Sequence, residues 1–261
     1  IHSVAWKRAG VFYPKTWGNE PIKAAEPLPD DLVYDTRIVK DRLGRFYLCQ
    51  VLPLSPVHDH QPEEKVIALD PGVRTFMTGY SPCGTLMECG KGDMKRIVRL
   101  CYAHDKLQSK WNQKGVRHRR RYRLKRAARR IRKRMRNLVE EVHKKLAKWL
   151  VSGYETILLP KFETSEMVVK ADRRIGRQTA RQMLTWSHYR FQQRLLSKVR
   201  EYPSCQVKIC DEHYTSKTCG SCGFMHENLG SNKTFNCPQC RVSIDRDVNG
   251  ARNILLRFLT L

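Results

Sequence analysis

Two things are scarce in this chain: long apolar runs and acidic residues. No uninterrupted apolar stretch approaches the roughly 18 residues that a membrane-spanning helix needs, and no signal-peptide pattern is present. Both absences argue against a membrane or secreted protein. The 25 acidic residues stand against 50 lysines and arginines, so the formal net charge is +25. Such a field attracts phosphate polyanions, and nucleic acid is therefore a more natural partner than a membrane surface.

A disulfide-rich scaffold is also not indicated, although the chain has ten cysteines among 261 residues. Disulfide scaffolds are typical of short secreted chains. Four of the cysteines cluster at metal-ligand spacing, which favours a reducing compartment. The length allows one large domain with an appendage, or two small domains. The sequence begins at Ile1 and not at Met, as a fragment of a longer protein would.

The chain is organised around a short segment, residues 66–72. Its four apolar residues, 66–69, predict a strand that is buried on both faces, and Pro71-Gly72 ends that strand at once. Asp70 is therefore expected at the carboxyl end of a core strand, where open α/β sheets usually carry their sites. A carboxylate held there suits a hard cation such as Mg²⁺. The alternative is that Asp70 only opens a turn.

Hydrophobic periodicity predicts the order of the remaining elements. Residues 1–30 are interrupted by four prolines and are expected to be loop, and 58–64 to be a linker. The predicted elements are a hairpin of strands at 34–40 and 45–52, strands at 65–70, 74–80 and 85–87, helices at 94–111 and 124–149, a strand at 155–160, a helix at 184–202, a strand at 207–210 and a last helix at 245–258.

This order predicts a ribonuclease H-like α/β fold with a mixed sheet. Three antiparallel strands precede alternating helices and strands, and the two helices at 91–150 form a long basic hairpin. In that fold a few carboxylates at strand ends and on the last helix hold two metal ions, which activate water and stabilise the leaving oxygen of a phosphodiester.

The strongest motif is a pair of Cys-x-x-Cys knuckles, Cys219/Cys222 and Cys237/Cys240. Two knuckles supply four thiolates to one ion in a closed tetrahedral site, so the predicted role is a structural Zn²⁺. The loop between them is rich in Gly, Asn and Ser and would not fold without the ion. The alternative is two redox pairs. The module is interpreted as a zinc ribbon.

The second motif is a basic run at 114–136, with fourteen lysines and arginines and no acid. The alternative is an ordinary solvated helix face, but such faces mix both signs of charge. Unopposed like charges four residues apart destabilise a helix, and phosphate contacts would offset that cost. The residues proposed to bind nucleic acid are Arg119, Arg120, Arg121, Arg123, Lys125, Arg126, Arg129, Arg130 and Lys133. Arg173, Arg174, Arg177 and Arg181 extend the basic surface.

The third motif is Asp245-Arg246-Asp247-Val248-Asn249-Gly250-Ala251-Arg252-Asn253 at the start of the last helix. Asp245 suits the helix N-cap. Asp247, in the first turn, is positioned to face the strand end at Asp70 and complete a metal site. The alternative is that both aspartates only cap the helix.

Together these motifs resemble the TnpB nucleases encoded by transposons, and more closely their eukaryotic and viral relatives, the Fanzor proteins. The similarity rests on residues 67–72, on 214–223 with Cys237 and Cys240, and on 245–253, and it spans about 33–260. In that family a RuvC-like nuclease, ribonuclease H-like in fold, is interrupted by a zinc ribbon and uses a guide RNA to cut DNA. The resemblance implies that Asp70 and Asp247 are the first and last catalytic carboxylates.

The chain departs from the TnpB pattern at the end of the strand at 155–160. TnpB places a catalytic glutamate there, but this chain has Pro160. Fanzor proteins resemble it in lacking that glutamate and are thought to use one at the end of the next strand, which points to Glu212. Asp211 is the runner-up, and Glu163 and Glu166 are weaker candidates. The remaining alternative is that the site has lost a metal ligand and that the chain no longer cuts DNA.

The resulting hypothesis is an RNA-guided DNA endonuclease of the Fanzor/TnpB type. Its domains are expected at 1–64 (end of a wedge-like β region and linker), 65–212 (nuclease core), 213–243 (zinc ribbon) and 244–261 (final core helix). Asp70, Glu212 and Asp247 would hold catalytic Mg²⁺, and guide RNA and target DNA would be the partners, with no membrane. The nucleus is the expected location, otherwise the cytoplasm. The competing hypothesis is a non-catalytic nucleic-acid-binding remnant of a transposon protein.

Overall fold

The computed structural model describes residues 1–170, 175–211, 213–227, 229–230 and 232–260. These residues form two compact units, one of residues 1–55 and 110–130 and the other of residues 56–109 and 131–261. Within the described ranges, no helix is both long and apolar enough to cross a membrane.

The first unit contains short strands, where the sequence predicted loop for residues 1–30. Strands β1 (Trp6–Arg8) and β2 (Val11–Phe12) pair antiparallel, and helix α1 (Pro14–Trp17) follows. The buried Trp6 explains this local order, because its ring stacks on Phe12 and its Nε1 donates to the carbonyls of Pro29 and Asp30 at 3.1 and 2.9 Å. The expected hairpin is confirmed as β3 (Arg37–Lys40) and β4 (Phe46–Cys49).

The second unit is built on a five-stranded mixed sheet. Its strands are β5 (Glu64–Pro71), β6 (Met77–Tyr80), β7 (Leu86–Cys89), β8 (Tyr154–Pro160) and β9 (Gln206–Cys210). Their order across the sheet is β7-β6-β5-β8-β9, with an antiparallel meander of β5, β6 and β7, and with β8 and β9 parallel to β5. This arrangement confirms the predicted order of strands along the chain and the predicted antiparallel meander.

The helices that follow are α2 (Asp93–Asn112), α3 (His118–Gly153), α4 (Thr164–Met167), α5 (Arg177–Trp186), α6 (His188–Val199) and α7 (Arg246–Thr260). A small hairpin of β10 (Thr234–Asn236) and β11 (Ser243–Asp245) lies in the cysteine-rich segment. The prediction of a single helix at 184–202 is wrong, because two helices meet at Ser187. Ser187 adopts the left-handed conformation with φ 55°, which ends α5 and starts α6, so Leu184 is exposed while Met183 and Trp186 are buried.

The two faces of the sheet are covered by different helices. Ile67 and Leu69 face a large core that also takes side chains from α2, α3, α5 and α6. Ala68 and its neighbour Leu158 face the opposite side, where they pack on Ile254 and Leu255 of α7. Because successive strand residues alternate between faces, the side of the sheet that carries Ala68 is also the side of Asp70.

Candidate active site and cysteine cluster

Asp70 lies at the carboxyl end of β5, on the face that α7 covers. The approach of the helix is very close at Gly250, since a β-carbon there would lie 2.8 Å from Oδ2 and 3.2 Å from Cγ of Asp70. Any side chain at position 250 would displace the carboxylate. Glycine at this place is therefore what allows the last helix to lie against the strand end that carries Asp70.

Asp247 lies in the first turn of α7, three residues before Gly250. Asp245 caps the helix, because its Oδ1 accepts a hydrogen bond of 2.9 Å from the backbone N–H of Asp247. The capping role predicted for Asp245 is confirmed. Burial, and next the negative charge of Asp245, raise the pKa of Asp247 above its ordinary value. The cap uses the backbone N–H of Asp247 and not its carboxylate.

Asp70 and Asp247 line the same cleft, whose volume is ≈430 Å³. Three cations also line it. Lys233 forms an ion pair with Asp245 at 3.1 Å, and Arg246 donates to the carbonyl of Gly230 at 3.0 Å. Arg74, at the strand end beyond Asp70, is exposed and lowers the pKa of Asp247, as do Lys233 and Arg246. The hydroxyl-bearing residues Thr179, Thr215 and Ser216 complete this polar rim. The two carboxylates can bind a metal ion, and the neighbouring positive charges can bind a phosphate beside it.

Glu212, the third carboxylate of the hypothesis, lies outside the described residues. Its neighbour Asp211 is engaged elsewhere, by His213 Nδ1 and by the guanidinium of Arg257 at 3.4 Å, and the His213 hydrogen bond holds its pKa below the usual range. Glu163 forms an ion pair with Lys161 at 2.6 Å. These two alternatives are thus already paired with cations.

The end of β8 has no carboxylate to offer. Parallel pairing sets Ala68 opposite Leu158, and two residues further along the two strands stand Asp70 and Pro160. Pro160 in turn pairs with Cys210 of β9, which packs against the α7 side of the sheet. The strand ends at 70, 160 and 210 therefore lie next to one another, and Glu212 follows the last of them by two residues.

The four cysteines of the knuckles come together as one cluster. Their sulfurs all lie within 4.8 Å of one another, and Cys219–Cys240 and Cys222–Cys237 are each separated by 3.6 Å. A tetrahedral ion with metal–sulfur bonds of about 2.3 Å separates its sulfurs by about 3.8 Å. The geometry therefore fits a four-thiolate metal site. Burial disfavours a thiolate at Cys237, but hydrogen bonds from the backbone of Cys240 and Gln239 lower its pKa to about 6.

Two buried asparagines join the cysteine cluster to the helix of Asp247, a role that the sequence reasoning missed. Asn249 accepts from the N–H of Gly220 at 3.0 Å and donates to the carbonyl of Thr218 at 2.7 Å. Asn253 donates to the carbonyls of Thr215 and Thr218 at 2.7 and 2.6 Å. Their spacing of four residues puts both on one face of α7, which is the signal that could have revealed them. We call these contacts the asparagine clamp.

Gly220, in the first knuckle, lies against the same face of α7. A β-carbon there would lie 2.9 Å from Asn253 Oδ1 and 3.2 Å from Asn249 Oδ1. The clamp also fixes Thr215, which lines the cleft of Asp70 and Asp247. The first cysteine knuckle and one wall of the cleft are therefore held by the same helix.

The predicted nucleic-acid-binding residues lie along α3. The helix carries them all, and most are exposed, with Arg121 and Lys133 partly buried. The basic run contains Tyr122, whose ring is 55% exposed among the cations. Arg181, of the predicted basic extension, instead forms a bidentate ion pair with Asp105. Arg173 and Arg174 lie outside the described residues.

Comparison with known proteins gives a consistent set of relatives. Residues 188–254 match the family model of the Cas12f1-like TNB domain. TnpB-like protein L79 of Acanthamoeba polyphaga mimivirus is 28% identical over 253 residues, which are 94% of this chain and 46% of that protein. The CRISPR-associated endodeoxyribonuclease Cas12f1 of Sulfoacidibacillus thermotolerans is 33% identical over 78 residues, 30% of this chain and 18% of that protein. The chain spans about half the length of the TnpB-like relatives that it matches.

Among solved structures, that of a Cas12f1–sgRNA–target DNA complex superposes with a TM-score of 0.52. The match has 19% sequence identity and covers 75% of this chain and 50% of the other. It shows a shared fold, a mixed α/β architecture. The family model, the relatives and the fold all point the same way, and they support a relationship of this chain to the TnpB-like and Cas12f1-like proteins.

Proposed function

We propose that this chain is an RNA-guided DNA endonuclease of the Fanzor/TnpB type that hydrolyses phosphodiesters at a RuvC-like site. The observation that carries the proposal is the meeting of Asp70 and Asp247 in one cleft bordered by Arg74, Lys233 and Arg246. The relationship to Cas12f1-like and TnpB-like proteins supports the reaction class.

The residues of the cleft fit a hard cation, because carboxylate oxygens are the ligands that Mg²⁺ prefers. Asp70 and Asp247 would hold Mg²⁺, with Glu212 as the proposed third ligand. Bound there, the metal would supply Lewis-acid stabilisation and an activated water for attack on phosphorus. The helix N-terminus beneath Asp247 and the nearby cations attract the phosphate and orient it toward the carboxylates. The Gly250 contact keeps Asp70 against α7.

For the cysteine cluster we propose a structural Zn²⁺. The four sulfurs lie close to the separations of a tetrahedral site, and two of the four cysteines are buried. Zinc with four thiolates is closed to water and does no chemistry. Its role would be to fold a segment that has only a small apolar cluster around Phe235 of its own.

Guide RNA and target DNA are the proposed partners, and the basic run on α3 is the proposed contact surface for them. Nine of the fourteen cations in residues 114–136 are the proposed binding residues, and the run contains no acidic residue. A location in the nucleus is part of the same proposal, because a basic run of this kind also serves as an import signal.

The proposal is tested by expressing the chain together with the DNA that flanks its coding sequence and sequencing the RNA that copurifies. A DNA duplex that matches this RNA is then added with Mg²⁺. We expect cutting by the unmodified chain, and no cutting by Asp70→Asn or in the presence of EDTA. Bound RNA without cutting in any condition would contradict the nuclease proposal.

That last result would favour the second candidate function, a non-catalytic nucleic-acid-binding remnant. One observation supports this candidate: β8 ends in Pro160, a residue that offers no metal ligand beside Asp70. The two candidates make the same prediction for nucleic-acid binding, and cleavage alone separates them.

A further inference from the structure

A second strongly basic surface lies within the unit of residues 56–109 and 131–261. Residues of α3 and α6, together with Glu201 just beyond α6, line a groove of ≈630 Å³. Five cations border it: Lys144, Lys148, Arg190, Arg194 and Lys198. Glu140 and Glu141 separate these lysines from the basic run at 114–136. We call this surface the α3–α6 groove.

The cations of the groove form two facing rows. Lys144 and Lys148 are four residues apart on α3, and Arg190, Arg194 and Lys198 are each four apart on α6. Residues at this spacing lie about 6 Å from one another along one helix face. Like charges so placed destabilise a helix. The core does not require them, since α6 packs through Phe191 and Leu195.

Internal contacts balance only part of this charge. Arg190 forms an ion pair with Glu140 at 3.2 Å, and Lys198 pairs with Glu201. Lys148 contacts the hydroxyl and the ring of Tyr202, a neutral side chain that does not offset its charge. Lys144 and Arg194 have no ion pair among the residues that the structure describes. The Nε of Arg194 is moreover buried without a hydrogen-bond partner there. The groove therefore keeps a net positive charge.

We propose that the α3–α6 groove binds the phosphodiester backbone of a nucleic acid. Two rows of cations on rigid helices present a line of contacts to a line of phosphates, and guanidinium groups bind phosphate with two hydrogen bonds. Gln193 and Ser197 add neutral hydrogen-bonding groups to the lining. This contact carries no sequence information, as is usual for phosphate contacts.

The lining argues against an acidic protein as the occupant. Among the described residues that form the groove, Ala147 is the one apolar side chain. Protein interfaces bury aromatic and aliphatic anchors at their centre, and this groove offers none. The inference rests on nucleic acid as the partner in the proposed function, but not on cleavage or on a guide.

The test compares the unmodified chain with Lys144→Gln/Arg194→Gln. Binding of a 20-base-pair DNA duplex and of an RNA hairpin is measured by fluorescence anisotropy at several salt concentrations, without Mg²⁺. We expect weaker binding and a log–log salt slope that is shallower by about 0.7–0.9 for each lost phosphate contact. The matched control is Lys145→Gln/Arg200→Gln, which removes the same charge from α3 and from the residue that directly follows α6, both outside the groove.

A further variant guards against a folding defect, since Arg194 is partly buried. Ser197→Asp places a negative charge at an exposed position of the groove and leaves every cation in place. It should weaken binding while the melting temperature stays that of the unmodified chain. Loss on the DNA duplex or on the RNA hairpin alone would identify the occupant. Salt slopes equal to the control on both probes would overturn the proposal.

This outcome is independent of catalysis. A chain that never cuts DNA still binds or fails to bind the two probes, so a failed cleavage assay does not count against the groove. Conversely, unchanged binding by the groove variants would not affect the proposal for the carboxylate cleft, since the two sites share no lining residue.

Discussion

Asp70 and Gly250 approach each other so closely that a single added carbon at position 250 would lie 2.8 Å from the Asp70 carboxylate. The strand end and the last helix are thus fitted to each other at one point. The carboxylate is the movable partner, because it is the end of a side chain and the helix backbone is not. A methyl group at 250 should therefore displace Asp70 and leave the fold in place.

Gly250→Ala should reduce DNA cutting by roughly 10- to 100-fold, which is the usual effect of a displacement of about 1 Å at a catalytic group. The loss should appear equally in Mn²⁺ affinity, measured by calorimetry. Gly153→Ala is the control, because a β-carbon there meets nothing within 4 Å. A Gly250→Ala protein with normal metal affinity and cutting would show that Asp70 does not need this contact.

Cys219→Ser or Cys237→Ser should release the proposed zinc, which elemental analysis of the purified protein would measure. The segment around the cysteines should unfold while the five-stranded core stays folded, because that core is built from other residues. Proteolysis confined to 213–243, with unchanged core helicity, is the expected pattern. Purified chain without stoichiometric zinc would contradict the assignment.

Loss of the asparagine clamp should affect the carboxylate cleft. Since Asn249 and Asn253 hold Thr215 and Thr218 on α7, Asn253→Ala should lower Mn²⁺ affinity at the carboxylates without loss of zinc. Asn253→Asp keeps an acceptor but loses the donating amide, so it should not rescue. Arg252→Ala, an adjacent change outside the clamp, is the control. Equal Mn²⁺ affinity in all three variants would show that the clamp does not shape the cleft.

Replacing Arg129, Arg130 and Lys133 with Gln should weaken nucleic-acid binding and make the salt dependence shallower. Each phosphate contact contributes roughly −0.7 to −0.9 to the log–log slope. A matched triple replacement on α2, Lys95, Arg96 and Arg99 to Gln, removes the same charge outside the basic run. An unchanged slope in the α3 variant would mean that these side chains contact solvent and no phosphate.

Glu212→Gln should abolish cutting and spare nucleic-acid binding, as should Asp70→Asn and Asp247→Asn. The reason is that β8 ends in Pro160, which offers no carboxylate beside Asp70, so the third ligand has to come from another strand end. Glu163→Gln serves as the control, because that carboxylate is paired with Lys161. Normal cutting by Glu212→Gln would return the third ligand to Asp211 or Glu163.

Two buried histidines predict the acid stability of the chain. His143 and His188 both stack on Phe76, and burial lowers their pKa to about 4 and about 3. The unfolded chain therefore binds protons below pH 6.5 that the folded chain does not. The contribution of the two histidines to stability is complete above pH 6.5 and should fall by up to about 1.4 kcal/mol per pH unit for each histidine as the pH drops toward 4.

Urea unfolding at pH 7 and pH 5 measures this loss. His143→Gln retains a donor for the carbonyl of Trp186, which His143 Nε2 contacts at 2.9 Å, and should reduce the loss by about half. His118→Gln, at the exposed start of α3, should leave it unchanged. Identical loss in both variants would exclude His143 as the cause.

Much of the fold was determined by the sequence itself. The apolar segment before Asp70, the short apolar run of β8 and the period of α2 and α3 predict elements that the structure confirms. Each of these patterns is local, because apolar residues only a few positions apart indicate which face of a strand or helix is buried. The four cysteines could be grouped for the same reason, because metal ligands need a fixed short spacing.

Only the tertiary structure decided the details that depend on distant residues. The break at Ser187 follows from packing of Met183 and Trp186 into the core, against the period that the sequence suggested. The strands within residues 1–30 depend on Trp6 reaching Pro29 and Asp30. The hydrophobic periodicity of the sequence cannot predict either contact, because each joins residues that are distant in the chain.

The site divides in the same way. Asp70 and Asp247 could be named from their places beside a strand and a helix start. Their meeting in one cleft, the Gly250 approach and the asparagine clamp required the packing of α7 on the sheet. That packing joins residues about 180 positions apart in the chain. A sequence specifies which chemical groups are present and which face of an element carries them, but the distance between two such groups exists only once their elements have packed.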